Sequence, residues 1–171
     1  MDSVSTTRLF VALWPAPAIR HALRERRDAW DWPRGASPVH PDKLHVTLHF
    51  LGGVPTERVP ELRRGLAVPF TPFELSFGPP KLWHNGIAVL EPHSEPPELL
   101  QLHASLSEAL LALGMQPEAR KYRPHVTLAR RATSAIVPPE SSPLIWKIDG
   151  YALVESQPNN GGVYTVLETY S

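Results

Sequence analysis

Leu44-His45-Val46-Thr47-Leu48-His49-Phe50-Leu51 and His125-Val126-Thr127-Leu128-Ala129-Arg130 share the run HVTL, and the two copies start 80 residues apart in a chain of 171. Both segments are rich in β-favouring residues and alternate, so each reads as a strand, and Gly52-Gly53 closes the first. Successive side chains of a strand point to opposite faces. His45 therefore shares a face with Thr47, against Val46 and Leu48. His125 shares one with Thr127, against Val126 and Leu128. Burying a polar group is unfavourable unless it finds a partner. The same polar pair placed twice against two aliphatics implies that a ligand supplies the partners.

Working outward, the surroundings of the two runs also repeat. Arg8–Trp14 (RLFVALW) reads as a strand stopped by Pro15. Pro17–Trp30 follows with Ile19, Leu23 and Trp30 at helical spacing and a proline that suits a first turn. After the first HVTL strand, Thr56–Leu66 reads as a helix with Leu62 and Leu66 on one face, and Phe73–Phe77 as a strand. The pattern then restarts. Gly86–Leu90 is a strand, and Pro97–Leu113 is the strongest helix of the chain, ended by Gly114. A basic loop leads to the second HVTL strand. Trp146–Glu155 and Val163–Tyr170 read as two more strands, joined by a turn at Pro158–Gly162. The order strand, helix, loop, HVTL strand thus occurs twice, which is a duplication signal. It predicts an α+β fold: two pseudo-symmetric lobes of mostly antiparallel sheet, with helices outside and a central cleft. Residues 1–171 form one bilobal domain in this reading, with repeats over roughly 8–80 and 86–170.

Composition narrows the chemistry. Seventeen basic and 17 acidic residues cancel, so whole-chain charge gives no support to a general nucleic-acid coat protein, and any anion site must come from local clustering. There is no cysteine, which removes disulfides, thiolate metal sites and cysteine nucleophiles and fits a cytoplasmic protein. The N-terminal segment lacks the pattern of a signal peptide, and no apolar run approaches the roughly 20 residues of a membrane helix. There is no P-loop or dinucleotide fingerprint.

Two imidazoles facing one cleft suit phosphodiester cleavage. A neutral one can take a proton from water while a protonated one gives a proton to the departing oxygen, and histidine does both near its ordinary pKa of about 6.5. Such a pair predicts a bell-shaped pH–rate profile. Thr47 and Thr127 can donate to the non-bridging phosphate oxygens, and a cation can meet the charge that builds there. Arg120, Lys121, Arg123, Arg130 and Arg131 form a cationic run with no acid between Ala119 and Ala132. Strict alternation turns Arg130 away from His125, so it needs a bulge or the strand's end to enter the cleft, whereas Arg131 has the matching parity. His45 and His49 would sit roughly 13 Å apart on a strand, too far to chelate one ion, so His49 belongs to the cleft edge or the surface. His21, His40, His84, His93 and His103 read as exposed or capping. Phe50, Trp83 and Tyr164 are candidates to stack on a base or ribose.

At these residues the chain resembles the 2H phosphoesterase superfamily, which is defined by two His-x-Thr-x motifs, and within it the RNA 2′,3′-cyclic phosphodiesterases, also called 2′-5′ RNA ligases. The matching pieces are RLFVALWP near the N-terminus, KLHVTLHFLG at Lys43–Gly52, RPHVTLAR at Arg123–Arg130 and GGVYTVLE at Gly161–Glu168. The resemblance implies hydrolysis of cyclic phosphate ends of RNA to 2′-phosphomonoesters, without metal or nucleotide cofactor. It implies His45 as proton donor, His125 as proton acceptor and Arg130 as the cation. RNA with a 2′,3′-cyclic phosphate end is the expected partner, with small cyclic nucleotides as further candidates and a monomer as the working state. Two other readings keep the site. One is 2′-5′ ligation, the same chemistry in reverse. The other is a module that binds RNA ends without turnover, against which the intact histidine pair argues.

Overall fold

The computed structural model describes residues 5–139, 142–158 and 162–171. Ten strands and three α-helices are present among them. The strands are β1 (Thr6–Leu13), β2 (Ser37–Pro38), β3 (Val46–Pro55), β4 (Phe73–Phe77), β5 (Lys81–Leu82), β6 (Ala88–Leu90), β7 (Val126–Arg130), β8 (Leu144–Ile148), β9 (Tyr151–Gln157) and β10 (Val163–Tyr170). The helices are α1 (Pro17–Asp28), α2 (Val59–Gly65) and α3 (Pro97–Ala112). The main sheet runs β10-β9-β1-β3-β7-β6-β5, with β2 also on β7, while β4 and β8 form a separate pair; every pairing is antiparallel. This is the α+β, mostly antiparallel architecture expected from the sequence.

Chain order and sheet order part company. β9 and β10, late in the chain, extend the sheet beyond β1, and β2, early in the chain, pairs with β7. The two HVTL strands meet at the middle of the sheet, where pairing between β3 and β7 is confined to Val46 opposite Val126. Each is held along its other flank, by β1 for β3 and by β6 for β7, and the cleft opens around the junction.

Alternation along β1 builds both faces of the sheet. Leu9, Val11 and Leu13 enter the main core, and Phe10 and Ala12 join Ala152 and Val154 in a smaller cluster on the other side. α3 covers the main core with Leu99, Leu102, Leu106 and Leu110, the i, i+3, i+7, i+11 stripe of an amphipathic helix. It starts on Pro97 and is followed by Gly114 at φ +77°, a conformation that suits glycine at a helix end.

Several boundaries differ from the sequence expectation, each for a local reason. β3 does not end at Gly52-Gly53 but continues to Pro55, because Gly52 at φ +72° sits at a bulge where Leu9 faces Gly52 and Phe10 faces Phe50. The single strand expected over Trp146–Glu155 is two strands of different sheets, β8 and β9, broken at Asp149-Gly150. A Cβ at Gly150 would come within 2.3 Å of the Tyr170 carbonyl oxygen, so this corner requires glycine. The Thr56–Leu66 helix is a 3₁₀ turn at Thr56–Arg58 followed by α2. α1 ends at Asp28, and Trp30 beyond it is buried and stacked on Trp32 at 4.8 Å. The strand expected from Gly86 starts at Ala88, since Gly86 (φ +82°) serves the turn that pairs β5 with β6. The expected turn at Pro158–Gly162 lies mostly outside the described residues. Among the described residues no helix is long and apolar enough to cross a membrane.

Candidate active site

Simple alternation fails in both HVTL strands, and it fails in the same way. On β3, Val11 faces His49 and Ala12 faces Thr47, so Leu48 is an extra, bulged residue. On β7, Ala88 faces Ala129 and Val89 faces Thr127, so Leu128 is bulged. Burial along Leu44–Phe50 and Pro124–Arg130 is identical position by position, with two consecutive buried residues after each threonine. A bulge adds one residue and flips the faces beyond it. Arg130 is thereby returned to the face of His125 and Thr127, and it lines the cleft. Arg131, at φ +53°, ends the strand and is exposed outside the cleft lining. The matching position in the first half is Phe50, which lines the cleft with 55% of its surface exposed.

The cleft has a volume of about 1070 Å³ and brings together all five residues picked out from the sequence: His45, Thr47, His125, Thr127 and Arg130. Each histidine is anchored by the carbonyl two residues before it. His45 Nδ1 donates to Lys43 O at 2.6 Å, and His125 Nδ1 donates to Arg123 O at 2.8 Å. A carbonyl can only accept, so both rings carry the Nδ1 proton and keep Nε2 for the cleft. The hydroxyl of Thr47 reaches His45 Nε2 at 2.8 Å. Burial is the first cause that lowers the pKa of His45, to about 4. The Lys43 carbonyl opposes it, and the charges of Arg20, His125 and Arg130 add to it. His125 is also lowered, first by burial and then by Arg123 and Arg130, against the Arg123 carbonyl and Glu91, which raise it. Both rings are therefore neutral in the free protein near pH 7.

The two wings of the cleft differ. Around His45 lie Phe10, Trp14 and Tyr164, at ring distances of 4.9, 5.8 and 5.9 Å, and Lys43 Nζ sits 5.3 Å from the Tyr164 ring. The His125 side carries Arg120, Lys121, Arg123 and Arg130. Trp83 is not an open stacking surface, because its ring packs on His125 (4.7 Å) and under the Arg123 guanidinium (4.1 Å).

His49 lines the cleft, one of the two places the sequence reading gave it, but as a buried residue, and His103 departs from that reading. His49 is buried at 3% exposure in the cleft wall and stacks on His103 at 4.1 Å, with Nε2 donating to His103 O at 3.0 Å. The bulge at Leu48 accounts for this, since it turns His49 toward α3. His103 is neither exposed nor a cap. It lies between His49 and Tyr122, and burial lowers its pKa to about 4. Tyr122 then donates to Thr47 O at 2.8 Å, which ties the loop before the second motif to the strand of the first. Only the packing of α3 and of the loop before β7 against β3 reveals this column. Its one signal in the sequence is that Tyr122 precedes the second motif.

The sequence profile of the 2′-5′ RNA ligase superfamily matches residues 14–157. The chain is 36% identical to an RNA 2′,3′-cyclic phosphodiesterase of Thermus thermophilus, over 96% of this chain and 89% of that protein. It is 29% identical to the protein of the same name from Escherichia coli, over 96% of each. Among solved structures it superposes on TT0787 of Thermus thermophilus with a TM-score of 0.78 at 32% identity, covering 96% and 97% of the two chains. With E. coli LigT complexed with 3′-AMP the TM-score is 0.85 at 27% identity and the same coverage. A profile that spans both histidine motifs, and a fold shared over nearly the whole chain, make this protein a member of the 2′-5′ RNA ligase superfamily of 2H phosphoesterases.

Proposed function

We propose that the protein hydrolyses 2′,3′-cyclic phosphate ends of RNA to 2′-phosphomonoesters, with His45 and His125 as the acid–base pair. The observation that carries this reading is the mirrored pair of imidazoles, each with Nδ1 held by the carbonyl two residues back and Nε2 kept for one shared cleft. The relatives' names point to the same substrate class. The chain's own groups supply acid, base and positive charge, so the reaction needs no metal.

In the step itself, water attacks phosphorus in line with the bond to the 3′ oxygen. His125 Nε2 takes the proton from water as the new P–O bond forms. The P–O3′ bond breaks, and the 3′ oxygen takes the proton of His45 Nε2. Thr127 and Arg130 face the non-bridging oxygens and meet the charge that grows there.

The asymmetry of the cleft supports the division of labour. The leaving oxygen belongs to the ribose, so the acid must stand on the nucleoside side. Aromatic faces, which receive a base or a sugar, surround His45, while the His125 side is polar and cationic, suited to water and phosphate. His45 is neutral in the free protein, and the anionic phosphate is what favours its protonation, so loading of the acid is coupled to substrate binding. The absence of cysteine fits the cytoplasm, and one chain provides both motifs, so a monomer suffices.

The test is phosphorus NMR of an RNA oligomer ending in a 2′,3′-cyclic phosphate, in excess EDTA. Wild type should give the 2′-monoester, and His45→Ala and His125→Ala should each lose activity by about 10²-fold or more. Activity that survives both substitutions, or that EDTA abolishes, refutes the reading. The reverse reaction uses the same groups, and formation of a 2′-5′ linkage from concentrated cyclic-phosphate and 5′-hydroxyl RNA would reveal it.

A further inference from the structure

The two halves are alike enough that an electrostatic difference between them stands out. β1 lies on β3 as β6 lies on β7: Leu13 faces Val46 and Leu90 faces Val126, with the same bulge one step on. The residue after Leu13 is Trp14, and the residue after Leu90 is Glu91. Both are followed by proline. Where the first half sets an indole beside its histidine, the second sets a carboxylate.

That carboxylate is enclosed. The Glu91 side chain is 17% exposed and does not line the cleft, so it makes no contact with substrate in the proposed reaction. Glu91 Oε1 accepts from Trp83 Nε1 at 2.8 Å and from Arg123 Nη2 at 2.9 Å. Both donors bear on His125. The Trp83 ring packs against the imidazole, and the Arg123 carbonyl holds its Nδ1. Arg123 also lies over the Trp83 ring at 4.1 Å. One oxygen thus joins the ring that packs His125 to the residue that anchors it. Burial would raise the pKa of Glu91, but the bonds from Trp83 and Arg123 and the charges of Lys81 and Arg123 bring it below the usual carboxylate range. The group is therefore an anion throughout the working pH range.

The first half has a cation at its histidine and no matching carboxylate among the described residues. Arg20 lies 4.9 Å from the Trp14 ring and donates to Pro41 O and Leu44 O, and its charge opposes protonation of His45. A negative charge set near a phosphate site repels the substrate, so its placement behind only one of two matching histidines calls for a reason.

We propose that Glu91 is a positioning residue that holds His125 in register through Trp83 and Arg123 and stabilises the imidazolium formed when His125 takes the proton from water. This rests on the proposed role of His125 as the base. A base gains positive charge during the step, and a fixed anion behind it favours that change without moving. The acid loses positive charge, and an indole rather than a carboxylate behind His45 favours that loss. The charged groups that act on His125 are Glu91 against Arg123 and Arg130, with His45 across the cleft, so removing Glu91 leaves the cations unopposed.

Glu91→Gln tests this, since it keeps an acceptor for Trp83 and Arg123 and removes only the charge. NMR titration of the free protein should show the His125 pKa falling by about half a pH unit or more, with His45 moving less. The limb of the kcat/KM profile that His125 sets should follow it down, and kcat at neutral pH should drop about two- to tenfold with KM unchanged or lower. Glu91→Asp should recover part of both. Thermal melting reports folding, and Trp83→Phe, which keeps a ring but removes the donor, should lower kcat without moving the His125 titration as far. If Glu91→Gln leaves the His125 titration and the limb it sets where they were, the proposal is overturned. The titration needs no substrate, so a protein inactive on cyclic phosphates that still shows the His125 shift would overturn the functional reading while keeping the coupling.

Discussion

Arg130→Ala probes the consequence of the bulge. The bulge at Leu128 delivers this guanidinium to the cleft, and no carboxylate pairs with it among the described residues. Its charge is thus free to meet a phosphate oxygen, and loss of one such preorganised donor costs about 2.7–4 kcal/mol, or about 10²–10³ in kcat/KM. The same substitution has a second, independent effect. Arg130 lowers the pKa of both histidines, so removing it favours both imidazolium forms and raises both pKa values. The pH–rate bell should therefore move to higher pH as its height falls. Arg130→Lys keeps the charge and should restore the position of the bell but only part of the rate, because an ammonium cannot present the forked donors of a guanidinium. The assays are hydrolysis of a cyclic-phosphate RNA across pH and NMR titration of the histidine side chains. A loss in Arg130→Ala below about threefold, or an equal loss in Arg131→Ala, would refute the argument from the bulge.

Other outcomes follow from the same geometry. The kcat/KM bell of the wild type should centre on the acid side of pH 6.5, since both free histidines are lowered, whereas the basic limb of kcat should lie higher because bound phosphate favours protonated His45. Thr127→Val should lower kcat/KM by about tenfold with little change in melting temperature, as read by steady-state kinetics and calorimetry. Gly150→Ala should destabilise by about 1–3 kcal/mol in urea unfolding, because its Cβ would meet the Tyr170 carbonyl oxygen at 2.3 Å; a neutral result would contradict the packing of that corner. Stability should fall as the solution is acidified from about pH 6.5 toward 4. His45 and His103 have folded pKa values near 4, so the unfolded chain binds more protons in that window, and His103→Asn should flatten the acid limb of melting temperature against pH.

The features written as local pattern were legible. The doubled HVTL run marked the two strands that line the cleft, the apolar stripe of α3 marked a helix, and the absence of a P-loop or cysteine narrowed the chemistry. Features that depend on what lies opposite were not. Alternation placed Arg130 on the wrong face because a bulge is defined by two residues facing one on a neighbouring strand, and that neighbour lies some 40 residues earlier in the chain. The division of Trp146–Glu155 between two sheets is invisible for the same reason, since Ile148 and Tyr151 are equally β-favouring and only their partners differ.

By itself, then, the sequence determined that two strands would each carry a histidine and a threonine on one face, because strand periodicity is a property of the local backbone. Tertiary structure decided how the two copies differ. It turned Arg130 into the cleft and set Phe50 at the matching place, buried His49 and His103 against Tyr122, and put Glu91 behind His125 where Trp14 stands beside His45. The two HVTL runs are alike in their residues, and the field around each is made by neighbours that differ.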